Sequence, residues 1–75
     1  MLLNVETVAG HAGMVEPAVF WLGEHRIEVL EIVDRWPAMD YTYFKVAASD
    51  RASYILRHDA ESDTWELTLY KSPGL

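Results

Sequence analysis

The stretch Ile27-Glu28-Val29-Leu30-Glu31-Ile32-Val33-Asp34-Arg35-Trp36 decides how the rest of the chain is read. Two templates fit it. Val29, Ile32, Val33 and Trp36 stand at i, i+3, i+4 and i+7, the spacing of one face of an amphipathic helix. As a strand, Ile27 and Val29 alternate with charges, and a bulge at Val29-Leu30 lets Leu30 and Ile32 continue the same face. Ile27, Val29, Ile32 and Val33 are β-branched, and such side chains are stiff at χ1 and favour extended backbone. Pro37 pushes Trp36 away from helical dihedrals. The segments on both sides also read as strands, and consecutive elements usually pack together. We read Ile27 to Trp36 as the central strand of a small β-sheet.

On its N-terminal side, Leu22-Gly23-Glu24-His25 is a hairpin signal, because Gly23 is free to take positive φ. Pro17 opens a short apolar strand from Ala18 to Leu22, at a position where its missing N–H costs least. Ala9 to Gly13 reads as a loop, and Leu3 to Val8 as a weakly alternating strand. On the C-terminal side Pro37 to Asp40 is a loop. Tyr41 to Ala48 alternates, with Thr42, Phe44, Val46 and Ala48 on one face. Ser53 to His58 sets Tyr54 and Leu56 against Ile55 and Arg57, and Thr64 to Lys71 groups Trp65, Leu67 and Leu69. Ser49 to Ala52 and Asp59 to Asp63 are the polar turns between them.

Strands at roughly ten-residue spacing predict an all-β fold. We expect a strongly bent antiparallel sheet or small barrel of five to six strands, in a single domain over residues 1–75. Residues 1–15 form its N-terminal strand and loop, 16–71 its meander core and 72–75 a frayed tail.

A chain of 75 residues buries only about 60–65% of the surface its unfolded form exposes. With no cysteine, neither a disulfide nor a thiolate metal site can add to its stability. Three Trp, four Tyr and two Phe must supply much of the core, each burying roughly 150–250 Å². Twelve acidic residues against six basic give a net charge of −6, which disfavours nucleic acid and anionic membranes as partners. Met1 to Glu6 has neither a basic leader nor an apolar core, and nothing approaches the ~20 apolar residues of a membrane span. These features predict a soluble cytoplasmic protein.

Few residues offer chemistry. His11, His25 and His58, with Asp59, lack any recognised ligand spacing, and surface histidines are the plainer reading. Asp59-Ala60-Glu61-Ser62-Asp63 resembles the opening of a calcium loop. The loop's sixth position, which should be Gly, is Thr64, and its twelfth, which should be Glu, is Tyr70. A solvated hairpin turn fits better. Glu28 with Glu31, or Asp34 with Asp40, could pair for acid–base work, but an exposed strand face explains them equally well. Ser49, Ser53, Ser62 and Ser72 have no nucleophile-elbow context. We expect no enzyme, no cofactor and no metal.

The aromatics are the sharper clue. Trp21, Tyr41, Tyr43 and Tyr70 tend to fall opposite the apolar sets of their strands. A sheet that closes on itself would bury both sets. An open one would leave Trp21, Tyr43 and Tyr70 as a binding surface for a protein partner or a second copy, since Trp and Tyr are favoured at interfaces. A stacking platform for single-stranded nucleic acid is the third reading.

The landmarks Trp21-Leu22-Gly23, Val29 with Asp34-Arg35-Trp36, Phe44-Lys45-Val46, Tyr54-Ile55-Leu56 and Trp65-Glu66-Leu67 form a pattern. It resembles a small bacterial domain family of unknown function, some members of which accompany accessory proteins related to Y-family DNA polymerases. The resemblance spans Pro17 to Tyr70 and rests on core-type residues, which report fold better than function. It implies no catalytic residue. The chain departs from the pattern by one extra residue after Gly23 and by its acidity. A non-enzymatic protein-interaction or self-association module is therefore the first expectation. An accessory domain of translesion polymerases, touching protein or single-stranded DNA, is the second.

Overall fold

The alternation is realised as six strands: β1 Leu2–Ala9, β2 Val15–Leu22, β3 His25–Pro37, β4 Thr42–Ala48, β5 Ser53–Asp59 and β6 Thr64–Lys71. The computed structural model describes residues 1–72. Every ladder is antiparallel, consecutive strands pair throughout, and β1 returns to β6 to close a barrel. Closure takes little: Leu2 pairs with Glu66, Leu3 with Trp65, and the Leu67 N–H donates to the Met1 carbonyl at 2.9 Å. Among the described residues no helix is long and apolar enough to cross a membrane.

The decisive stretch is a strand, and it runs further than expected, from His25 to Pro37. The hairpin before it turns on Gly23 and Glu24 between paired Leu22 and His25. Gly23 alone of the two has positive φ (61°), the pattern a type II′ turn requires.

Inward-facing residues converge as alternation predicts. Phe20, Val46, Tyr54 and Leu56 are fully buried, joined by Val19, Ile27, Phe44, Ala48, Ala52 and Trp65. Phe20 meets Tyr54 edge-on at 4.9 Å between ring centres, and Phe44 lies against Trp65 at 5.4 Å. Both separations fall in the favourable range for aromatic pairs. His58 stacks on Trp65 at 4.3 Å between ring centres. Leu3, Val5, Leu22, Val29, Ile32 and Leu67 pack around this centre.

Four register shifts bend the strands around it. Glu6 pairs with Val19 and Thr7 with Pro17, so Ala18 is an extra residue in β2. In β3 the partners step from Val29↔Ala48 to Glu31↔Ala47, and from Ile32↔Val46 to Asp34↔Lys45, leaving Leu30 and Val33 as extras. In β6 the partners Leu67↔Leu56 and Leu69↔Ile55 leave Thr68. Each extra residue kinks its strand and flips the side chains beyond it to the other face.

These bulges correct the expectations in detail. Leu30 does not continue the Ile27 and Val29 face; it is 68% exposed, and Ile32 resumes the inward face. Leu69 does not share a face with Trp65 and Leu67; it is 56% exposed. Tyr70 is turned the opposite way to the expectation, toward Tyr54, at 5.2 Å between ring centres. Pro17 is not the start of its strand but the third residue of β2, buried beside the Ala18 bulge, where a missing N–H is tolerated. Within the segment 1–15, β1 pairs with β2 along most of its length and with β6 through Leu2 and Leu3, and so forms one wall of the barrel. Ala9 to Gly13 holds one tight turn at His11–Gly13, with Gly10 N–H donating to the Met14 carbonyl at 2.7 Å. Of the expected tail, Ser72 follows β6 and residues 73–75 lie outside the described residues.

Candidate interaction surface

The registers arrange the outer face of β3, β4, β5 and β6 as a grid. One row runs Trp36–Tyr43–Arg57–Glu66, with Leu2 beyond Glu66 on β1. The next runs Asp34–Lys45–Ile55–Leu69, and the third Glu31–Ala47–Ser53–Lys71.

The first row is tied together by side chains. Trp36 stacks flat on Tyr43, 5.4 Å between centres with 3° between planes, and Tyr41 meets Tyr43 edge-on at 6.4 Å. The Arg57 guanidinium sits 4.2 Å above the centre of the Tyr41 ring. It also donates to the Glu66 carboxylate. The Glu66 hydrogen bond first, and the Tyr43 hydroxyl second, favour the charged guanidinium and raise its pKa above the ordinary value. This is a rigid aromatic row whose cation is already matched by its own carboxylate.

The second feature is apolar. Leu30, Val33 and Leu69 are 68%, 50% and 56% exposed; Val33 and Leu69 owe their orientation to a register shift, while Leu30 keeps the outward parity set by Ile27 and Val29. Leu2, at 71%, lies next to Glu66 on the same side. Two strips result. On β3, Leu30 and Val33 alternate with Glu31 and Asp34. On β5 and β6, Ile55 and Leu69 lie between Lys45 and Lys71, neither of which has an ion-pair partner among the described residues. Beyond Leu67, β6 has no strand on its outer side among the described residues, so that edge is open.

The three aromatics expected to bind stand apart. Tyr43 is in the aromatic row, while Tyr70 leans over Tyr54. Trp21, half-buried, pairs with Asn4 and Arg26 and lines an open depression of about 430 Å³ with Leu3, Glu6 and Trp65. Sequence reasoning missed Leu30, Val33, Trp36 and Leu69 as surface residues. A usable signal was present in the apolar doublets Val29-Leu30 and Ile32-Val33, since one member of each must face out of a strand.

Elsewhere the polar groups serve the fold. Tyr54 donates its hydroxyl to Asp50, whose other oxygen accepts the Ala52 N–H at 2.9 Å. Burial first, then that hydrogen bond and the Asp50 charge, push the Tyr54 phenol well above its ordinary range. An open depression of about 360 Å³ beside it is lined by His25, Arg26 and Ser49, and Ser49 accepts the Glu28 N–H at 3.0 Å. Asp59 caps its own turn by accepting the Glu61 N–H at 3.0 Å, and His58 contacts Asp63 at 3.0 Å. His25 is exposed in the hairpin, and the side chain of His11 is outside the described set. No group of three or more metal-binding side chains occurs among the described residues. Glu16 forms an ion pair with Arg35, bridging β2 to the C-terminal part of β3, beyond the point where the two strands part.

The fold and surface define a six-stranded antiparallel barrel that carries an aromatic row and two apolar strips on the outside of β3 to β6. No family model, curated protein or solved structure matches the chain.

Proposed function

We propose that the chain is a non-enzymatic protein-interaction module of the bacterial cytoplasm, and that the outer face of β3 to β6 is its contact surface. The observation that carries this reading is the exposure of Leu30, Val33 and Leu69 on the outside of the barrel. Bulges re-aim side chains, and here they turn outward Val33 and Leu69, which regular strands would bury. A partner gains by dehydrating them, and the neighbouring stacked Trp36 and Tyr43 add preformed aromatic area at small entropic cost.

A second reading, an accessory domain of translesion polymerases touching single-stranded DNA, draws on the same Trp36 and Tyr43 row as a base-stacking platform. The net charge of −6 and the neutralisation of Arg57 by Glu66 weigh against it.

Photo-crosslinking in the cells that make the protein natively tests the choice. A benzophenone side chain is placed at position 69, with position 24 in the exposed hairpin as the control. Protein adducts at 69 that are absent at 24 are expected. Nucleic-acid adducts at 69 would support the second reading. Equal yields at both positions would overturn the surface assignment.

A further inference from the structure

Resting on that reading, we propose that one partner of the surface is a second copy of the chain, docked head to tail. The β3 strip of one copy meets the β5–β6 strip of the next. The argument is charge complementarity between two apolar strips. Leu30 and Val33 carry carboxylates beside them, at Glu31 and Asp34. Leu69 and Ile55 carry ammonium groups beside them, at Lys71 and Lys45.

A two-fold dimer through either strip alone would juxtapose like charges, Lys71 near Lys71 or Glu31 near Glu31, which opposes association. Joining the two different strips sets apolar against apolar and acid against base. Asp34 already stands across from Lys45 within one barrel, so Glu31 and Lys71 carry the complementary charge most freely. The open edge of β6 beyond Leu67 leaves room for the incoming copy on that side. The bulges at Leu30 and Val33 interrupt the β3 ladder, so the contact is made through side chains rather than by adding a strand.

Because the two surfaces differ, each copy keeps one free strip after docking. Association then continues into a ring or an open chain rather than stopping at two. Strips this narrow make a weak contact, so the mass rises with concentration rather than holding at one value.

The experiment pairs two variants of the full chain, Leu30→Asp, which disables the β3 strip, and Leu69→Asp, which disables the β6 strip. Mass is measured by light scattering across protein concentration, with circular dichroism confirming that each variant is folded. The wild type should grow beyond a dimer. Each variant alone should be monomeric, and an equimolar mixture should reach a dimer and stop, since only one productive pair of strips remains. Should either variant misfold, Glu31→Lys and Lys71→Glu give a charge-reversal test on exposed side chains. Each should weaken association at least tenfold, and mixing them should restore growth beyond a dimer, because the reversed pair of charges is complementary as well as the native one.

A variant that still associates alone would show a two-fold contact and overturn the proposal. A mixture that stays monomeric, or a wild type that is monomeric at every concentration, would overturn it as well. None of these results touches the interaction module itself, because cross-linking at position 69 to a different protein would still stand.

Discussion

The hydroxyl of Thr68 donates to the carbonyl of Ile55 at 3.0 Å, and this bond clasps the bulge that turns Leu69 to the outside of the barrel. Thr68→Val keeps the shape and β-propensity of the side chain while removing the donor. A single hydrogen bond is worth about 0.5–1.5 kcal/mol net. In a domain of this size that corresponds to a fall in Tm of roughly 4–8 °C per kcal/mol. Thermal melts check the loss, and amide exchange at Leu69 and Tyr70 should quicken with it. Unchanged exchange there would mean the bulge is held by something other than this bond.

Trp65 is 4% exposed and contacts Phe44 on one side and His58 on the other. Trp65→Ala should cost about 3–5 kcal/mol through lost contact and an unfilled cavity. Small domains hold roughly 5 kcal/mol in total, so the variant should be largely unfolded at 25 °C. A denaturant titration giving a midpoint near the parent's would contradict the core assignment.

Gly10 is required by its neighbour rather than by its own backbone. A Cβ built there would lie 2.1 Å from Cδ of Glu16, whose carboxylate is engaged with Arg35. Gly10→Ala must therefore swing Glu16 off its partner. The prediction is a double-mutant cycle: the alanine destabilises the parent and does little in a Glu16→Ala background. Denaturation midpoints of the four proteins give the coupling. Additive costs would show that Glu16 is not the obstacle.

Tyr54 links stability to alkaline pH. Its phenol is raised by burial and by the Asp50 hydrogen bond, relative to 10.0 in the unfolded chain. Above pH 10 the unfolded state loses this proton while the folded state keeps it, so stability falls as pH rises. The contribution is fully present below about pH 10 and is lost progressively beyond it. Melting temperature against pH should bend downward there, and Tyr54→Phe should flatten the bend. An equally steep fall in the variant would assign the alkaline transition to other groups.

Much of the fold was legible because alternation is a local signal. Thr42 to Ala48 and Ser53 to His58 orient as their patterns require, and Gly23 marks its turn correctly. The bulges were not legible, because they are set by how two strands share hydrogen bonds around a tight curve. In β3 the inward positions Ile27, Val29, Ile32 and Arg35 are spaced two, three and three apart. The helical template fitted only by grouping inward Val29 and Ile32 with outward Val33 and Trp36. The same blindness hid part of the surface: Val33 and Leu69 look like core until a register shift turns them out. The aromatic row was only half visible, since Tyr43 shows on its strand while its stacking on Trp36 depends on pairing across to β3.

The seam between β1 and β6 has a kinetic consequence. Every other ladder joins strands adjacent in sequence, so those can zip together through short loops. The seam alone joins the two ends of the chain, through Leu2↔Glu66, Leu3↔Trp65 and the Met1–Leu67 hydrogen bond. Bringing it together carries the largest loop-closure entropy for the fewest bonds. It should close last during folding and open first under native conditions. Amide exchange would then find the Leu67 N–H among the first protected groups to exchange. The barrel behaves in time as a zipped ribbon fastened by one late clasp.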